Sequence, residues 1–270
     1  MKTIAIPILF GLMATCGHRN TPANSPETDN FKPETDNFGF ETDSFVTPDG
    51  KTVKIHALTH ASIRIEYDGK EIEIDPVCNA GSRTIDYTKF PKADVILVTH
   101  EHFDHLDPAA IATLTKNGTQ LFINRNGAAK LGHGTVMTNG GRTEVGGWLT
   151  IEAVPAYNTT EGNLQFHPKG RDNGYVLTIG GLRIYIAGDT EDIPEMDSIK
   201  NIDVAFLPCN QPYTMTPEQI MRAARRIRPK VLFPYHYSQT DLSRLADGLK
   251  GDGIDVRIRN YQKFACNCPC

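Results

Sequence analysis

Apolar and polar positions alternate with a period of two over Val53-Lys54-Ile55, Ile63-Arg64-Ile65 and Glu71-Ile72-Glu73-Ile74. That period predicts three strands, each with one face on a core. Asp68-Gly69, between the second and third, is a hairpin turn signal. The pattern changes over residues 94–99, where Val95-Ile96-Leu97-Val98 is apolar without a break, as in a strand covered on both faces. Asp107 followed by Pro108 marks the start of a helix that runs to Thr115. Further strands are expected at 121–123, 148–151, 204–207, 229–234 and 256–258, with a hairpin over 175–187 turning at Gly180-Gly181. Thr216 caps a helix that begins at Pro217 and ends near Ile227. Strands come in groups with helices between the groups. This predicts an α/β fold of two mixed sheets packed face to face with helices outside, not a simple βαβ alternation.

The ends read differently from residues 51–264, the expected folded domain. Lys2 precedes an apolar run over 4–14, broken only by Pro7 and Gly11. The run is too short to span a bilayer and suits a signal-peptide core. Met13-Ala14-Thr15-Cys16-Gly17 resembles a bacterial lipoprotein cleavage box, with departures at Met13 and Thr15. Residues 1–16 are therefore expected to be a signal peptide or lipoprotein leader. Cys16 would be a membrane tether, and the chain would lie in the cell envelope, periplasmic or lipid-anchored. An uncleaved start would leave it cytoplasmic. Residues 17–50 repeat Pro-Glu-Thr-Asp-Asn-Phe at Pro26 and Pro33, and a related stretch runs from Phe40 to Phe45. One aromatic per seven residues with recurring Pro does not make a helical seam, so a low-complexity tether is expected. Residues 265–270 form a tail holding Cys266, Cys268 and Cys270. It is either a soft-metal or redox tail or a loose end with incidental thiols.

Charge narrows the partners. The 28 basic and 32 acidic residues give −4, against the basic excess of a nucleic-acid binder. A small-molecule or lipid-like substrate is the expectation.

Chemistry concentrates at His100-Glu101-His102-Phe103-Asp104-His105, which follows the continuous apolar strand directly. His100 and His102, two apart, can grip one ion. Asp104 and His105 can reach a second, roughly 4 Å away. Imidazole plus carboxylate suits two divalent ions, zinc first, with manganese or iron as alternatives. The bland reading is a solvated loop that happens to be rich in histidine.

The segment matches the His-x-His-x-Asp-His signature and is identified with the metallo-β-lactamase superfamily. Thr59-His60-Ala61-Ser62, Ile74-Asp75-Pro76, Ala187-Gly188-Asp189-Thr190, Gln211-Pro212-Tyr213-Thr214-Met215 and Pro234-Tyr235-His236-Tyr237 resemble its lactonase-like and N-acylphosphatidylethanolamine phospholipase D-like branch. The resemblance implies a four-layer αβ/βα sandwich with metals in a groove along one edge. It implies Asp189 bridging both ions and His236 as the last ligand. Asp75 reads as a turn former or a support for a ligand. His60 either lines the pocket or is a satisfied core histidine. One position departs from the pattern. Where many members place a histidine, this chain has Val154-Pro155-Ala156-Tyr157-Asn158. Either His167 supplies that ligand, or Tyr157 or Asn158 faces the site. Lys169 and Arg171 could attract an anionic group or lie on a solvated face. The implied function is hydrolysis of an ester, lactone or phosphodiester by a metal-bridging hydroxide. Asp104 would orient it, and His60 or Tyr213 would donate to substrate or leaving group. A di-iron redox enzyme on the same fold and a tethered metal-binding surface module are the alternatives.

Overall fold

The computed structural model describes Met1, residues 33–80 and residues 83–261. All its elements fall in the compact unit Lys32–Cys270. The leader, Cys16 and the tail cysteines lie outside the described residues. Among the described residues, no helix is long and apolar enough to cross a membrane.

The chain opens with β1 (Glu34–Thr35), β2 (Glu41–Val46), β3 (Thr52–Thr59), β4 (Ser62–Tyr67) and β5 (Lys70–Ile74). A small ribbon of β6 (Asn79–Ala80) and β7 (Arg83–Thr84) follows. Then come β8 (Val95–Val98), α1 (Pro108–Leu114), β9 (Gln120–Ile123), α2 (Arg125–Leu131) and β10 (Thr135–Val136). The first sheet runs β1-β2-β3-β4-β5-β8-β9-β10, antiparallel as far as β5 and parallel beyond.

The second half holds β11 (Arg142–Val145), β12 (Leu149–Ala156), β13 (Asp172–Ile179), β14 (Leu182–Ile186), β15 (Val204–Pro208), α3 (Pro217–Ile227), β16 (Val231–Tyr235), α4 (Leu245–Gly248) and β17 (Asp255–Val256). These strands form the second sheet in sequence order, again antiparallel first, to β14, and then parallel.

Alternation along the buried strands builds the layers. Val95 and Leu97 of β8 face the core between the sheets, with Val204 and Phe206 of β15 on the other side. Ile96 and Val98 point the opposite way, onto Ile111 and Leu114 of α1. Ala205, Leu207 and Leu232 point outward onto Ile220, Ala224 and Ile227 of α3. Three apolar interfaces separate four layers, as the α/β sandwich reading requires. The helix signals act as expected. Asp107 accepts from Ala109 N and Ala110 N at the start of α1. Thr216 and Gln219 form a reciprocal capping box on α3. Gly180 and Gly181, at φ 55° and 87°, turn the β13–β14 hairpin.

The tether reading of residues 17–50 needs correction over its second half. Residues 34–35 and 41–46 are strands of the first sheet. Their aromatics are anchors: Phe40 is buried, Phe38 stacks on Phe90 at 4.8 Å, and Phe45 meets Phe233 edge-on at 6.4 Å. Asp43, also buried, takes Arg259 at 2.7 Å and Arg257 at 2.9 Å from the end of the chain. A linker has no such partners; Phe38 and Phe40 in the β1–β2 turn and Phe45 on β2 are packing anchors.

Candidate metal centre

The residues singled out in the sequence converge where the two sheets' strand ends meet. His100, His102, Asp104 and His105 follow β8, Asp189 follows β14, and His236 follows β16. Three groups of donors have their atoms within 4.8 Å of one another: His100, His102 and His167; His60, Asp104, His105 and His236; and His100, His105 and Asp189. Asp189 lies at the middle. Its Oδ2 is 3.3 Å from His167 Nε2, 3.3 Å from His236 Nε2 and 4.0 Å from His100 Nε2. Its Oδ1 is 3.3 Å from His105 Nε2.

The backbone is bent to achieve this. His60 between β3 and β4, Asp75 after β5 and His236 after β16 have φ of 51°, 45° and 47°. Left-handed backbone is costly for such residues and persists where packing imposes it, commonly at functional sites. His236 N donates to His60 O at 3.1 Å, so two of these bends brace each other. Gly188, at φ 65°, is a position where a Cβ would come 2.7 Å from the Asn173 carbonyl oxygen. Only glycine lets the strand carrying Asp189 approach so closely.

For three of the rings, His105, His100 and His167, an outer partner decides which nitrogen faces inward. Asp75 accepts from Thr99 N and from the Thr99 hydroxyl, both at 2.7 Å, and from His105 Nδ1 at 2.8 Å. A carboxylate accepts only, so His105 Nδ1 carries a proton and Nε2 is the nitrogen turned toward the cluster. The Thr99 oxygen, its hydrogen spent on Asp75, sits 3.0 Å from His100 Nδ1 and turns His100 Nε2 inward. The Tyr213 carbonyl accepts from His167 Nδ1 at 3.1 Å, with the same result. Three ring nitrogens then crowd together: His102 Nδ1 is 3.0 Å from His100 Nε2 and 3.3 Å from His167 Nε2. Arg171 lies 3.4 Å from the far nitrogen of His102.

Electrostatics favour a cation here. Burial, with His236 beside it, brings His60 down to about 4. Burial also brings His167 down to about 4, and it holds His100 well below 6.5 and His102 below it. These rings are neutral at neutral pH, the form that binds metal. Burial acts against His105 and His236 too, but there Asp189 prevails; His105 stands well above 6.5 and His236 is raised to about 9. Burial would raise the Asp189 carboxyl, yet His236 and His105 keep it well below its usual range. Asp104, opposed by burial in the same way, is held low by His105 first. Asp104 and Asp189 thus set a negative field in the cluster that attracts positive charge.

Divalent ions fit this donor set. His105 Nε2, His236 Nε2 and Asp189 Oδ1 are buried and have no hydrogen-bond partner, although His105 and Asp189 lie close but out of alignment. Buried polar atoms without partners are costly unless something satisfies them. His100, His102 and His167 can hold one ion; Asp104, His105 and His236 a second; Asp189 reaches both.

Other expectations resolve as follows. His60 faces the cluster: its Nε2 is 3.1 Å from Asp104 Oδ2 and its ring lies 3.8 Å from that of His236. Tyr213 puts its carbonyl, not its hydroxyl, toward His167, and its exposed ring packs on Phe166 at 4.9 Å. Asn158 spends its side-chain amide on the Tyr213 and Asn163 carbonyls. Tyr157 bonds Glu195 at 2.7 Å. Lys169 is taken up by Tyr157 and Glu195, and Arg171 by Asp172 and the Phe166 carbonyl. Sequence reasoning missed Glu191, Asn124 and Asp172. Asn124 and Asp172 link to Glu101 and Arg171 behind the motif, and no local pattern marks them.

Known proteins are similar to this chain in sequence and fold. The family model described as "Beta-lactamase superfamily domain" matches residues 54–236. A protein of Ligilactobacillus salivarius named "UPF0173 metal-dependent hydrolase" is 36% identical over 186 residues, covering 66% of this chain and 82% of that one. The solved structure of a proposed metal-dependent hydrolase from Parabacteroides distasonis is 54% identical, with a TM-score of 0.79, covering 83% of this chain and 100% of that one. Igni18, a metallo hydrolase from Ignicoccus hospitalis, is 28% identical with a TM-score of 0.66, covering 78% and 96%. From the match across the whole span of the histidine motifs and the similarity to these relatives, the chain belongs to the beta-lactamase superfamily, on the branch of its metal-dependent hydrolases.

Proposed function

We propose that the chain is a dinuclear metallo-hydrolase, zinc being the first choice of metal, acting on an ester, lactone or phosphodiester bond of a small apolar or lipid-like molecule. The observation that carries this is the set of buried donor atoms without partners, His105 Nε2, His236 Nε2 and Asp189 Oδ1, gathered in one cluster of donors, with His105 turned into it by its bond to Asp75. Divalent ions held by these residues would supply a Lewis acid for the scissile group and a water of lowered pKa as nucleophile. The chain's own residues do the rest. Asp75 and Thr99 lock the ring tautomers. His60, which is neutral and buried, donates to Asp104 and fixes the carboxylate on its side of the groove. That role replaces leaving-group donation by His60, whose Nε2 is already engaged. Tyr213, on the exposed rim, remains the candidate donor to a leaving group.

The rim supports an apolar substrate. Phe103 (79% exposed), Leu164 (49%) and Tyr213 (45%) are large hydrophobic side chains on the segments that carry the site's residues. Apolar side chains left in water beside convergent polar groups are the usual lining of a small-molecule site.

Turnover of an aryl ester, a lactone and a bis-aryl phosphodiester, with and without chelator and with added zinc, tests the reading. Asp189→Asn should lose metal together with turnover, by more than the 10–100-fold that outer partners of ligands cost. Full turnover by that variant, or turnover indifferent to chelator, would sink the proposal.

A further inference from the structure

Of the residues that converge on the centre, His167 alone lies deep in a long loop. The others sit near strand ends or in turns, whereas His167 belongs to the connection of residues 157–171 between β12 and β13. A loop ligand carries an ordering cost that a strand-end ligand does not. The structure shows what fixes the loop. Asn158 N donates to His167 O at 2.8 Å, folding the far end of the loop back onto its start. This puts His167 beside the position where the superfamily pattern has its histidine. The start of the loop is in turn held by Glu191, a buried carboxylate two residues beyond Asp189. A single Glu191 oxygen, Oε2, accepts from Thr159 N at 2.9 Å, Thr159 Oγ1 at 2.8 Å, Thr160 N at 2.8 Å and Thr160 Oγ1 at 2.8 Å. Glu191 N donates to Tyr157 O at 3.0 Å, and the Thr190 hydroxyl bonds that carbonyl as well. The bridging aspartate and the loop histidine therefore hang on one clasp.

We infer that Glu191 is a positioning residue, presetting loop 157–171 so that His167 meets His100 and His102 without further ordering. It controls the affinity of the ion at those three histidines and leaves the ion at Asp104, His105 and His236 unaffected. The inference rests on the dinuclear reading above. It follows from geometry: Glu191 touches neither set of donors, and the hydrogen bonds of its carboxylate go to the loop.

The experiment uses the full chain stripped of metal and Zn²⁺ alone as probe, with stoichiometry by native mass spectrometry, affinities by calorimetry and amide exchange by peptide. Wild type should take two zinc ions. In Glu191→Ala, one of the two should bind at least ~10-fold more weakly, on the scale expected for loss of an outer partner. Exchange should rise within residues 157–171 and nowhere else. Glu191→Gln, whose amide oxygen still accepts, should fall between. If both zinc affinities stay at the wild-type level, or both weaken alike, the clasp is wrong. If Glu191→Ala does not fold, Thr159→Val/Thr160→Val keeps the carboxylate, removes two of its donors, and is judged by the same criteria. A wild type that takes fewer than two zinc ions would instead overturn the dinuclear reading.

Discussion

Single side chains here do work that their place outside the donor cluster conceals. Asp75 belongs to none of the donor groups, yet it sets the proton on His105 and, through Thr99, the orientation of His100. Asp75→Asn keeps the shape but offers the His105 ring a donor where an acceptor stood. Zinc affinity should fall by about 10–100-fold with little change in melting temperature. Zinc titration beside a thermal melt checks this, and undiminished affinity would show that the His105 tautomer is set by something else. At this scale the sequence was legible where chemistry is clustered. His100, His102, Asp104 and His105 announce themselves within six residues. Glu191 stayed hidden because its partners, Thr159 and Thr160, are thirty-odd positions away and neither residue type marks a ligand.

Elements at the amino-terminal edge depend on a different imidazole. His56 on β3 meets Asp36 Oδ2 at 2.9 Å through Nδ1 and Glu66 Oε1 at 2.9 Å through Nε2, tying the β1–β2 turn to β4. Burial would lower this histidine, but Asp36 and then Glu66 outweigh it and raise His56 above its ordinary 6.5. Asp36 is held below 3.8 against burial, chiefly by His56. The raised histidine stabilises fully below its unfolded value and loses that contribution as pH climbs through the folded one. The depressed aspartate contributes above 3.8 and loses it as pH falls. The tie is strongest between about pH 4 and 6.5 and weakens above the raised His56 value. Amide exchange in residues 34–46, corrected for intrinsic rate, should show more protection at pH 6 than at pH 9. His56→Gln should remove that difference, and a profile with no such dependence in wild type would contradict it. These same strands were the poorest reading from sequence. Phe38, Phe40 and Phe45 sit among Pro, Asn and Asp, and only the long-range partners Phe90, Phe233 and Arg259 reveal them as packed. The central strands needed no such help, because an unbroken apolar run like Val95–Val98 has no stable alternative to burial on both faces. The short helices α2 and α4 lacked the length for a period to emerge.

Across the whole molecule, residues 34–136 supply the first sheet and residues 142–256 the second. His100, His102, Asp104 and His105 come with one, and His167, Asp189 and His236 with the other. Ions held between them would cross-link the sheets and favour the folded chain by mass action. Zinc at about a hundredfold its Kd should add about 2.7 kcal/mol per site. For a domain of this size that is a melting-temperature rise of roughly 5–10 °C per site. Melts in chelator and in zinc check this, and coincident curves would mean that the ions do not bind across the sheets. Neither sheet, taken alone, owns a complete set of donors. The reactive centre is therefore common property of two unequal partners joined by one short span of chain, residues 137–141. Any event that separates them, whether a protease cut or a folding error in either one, silences the chemistry completely rather than by degrees.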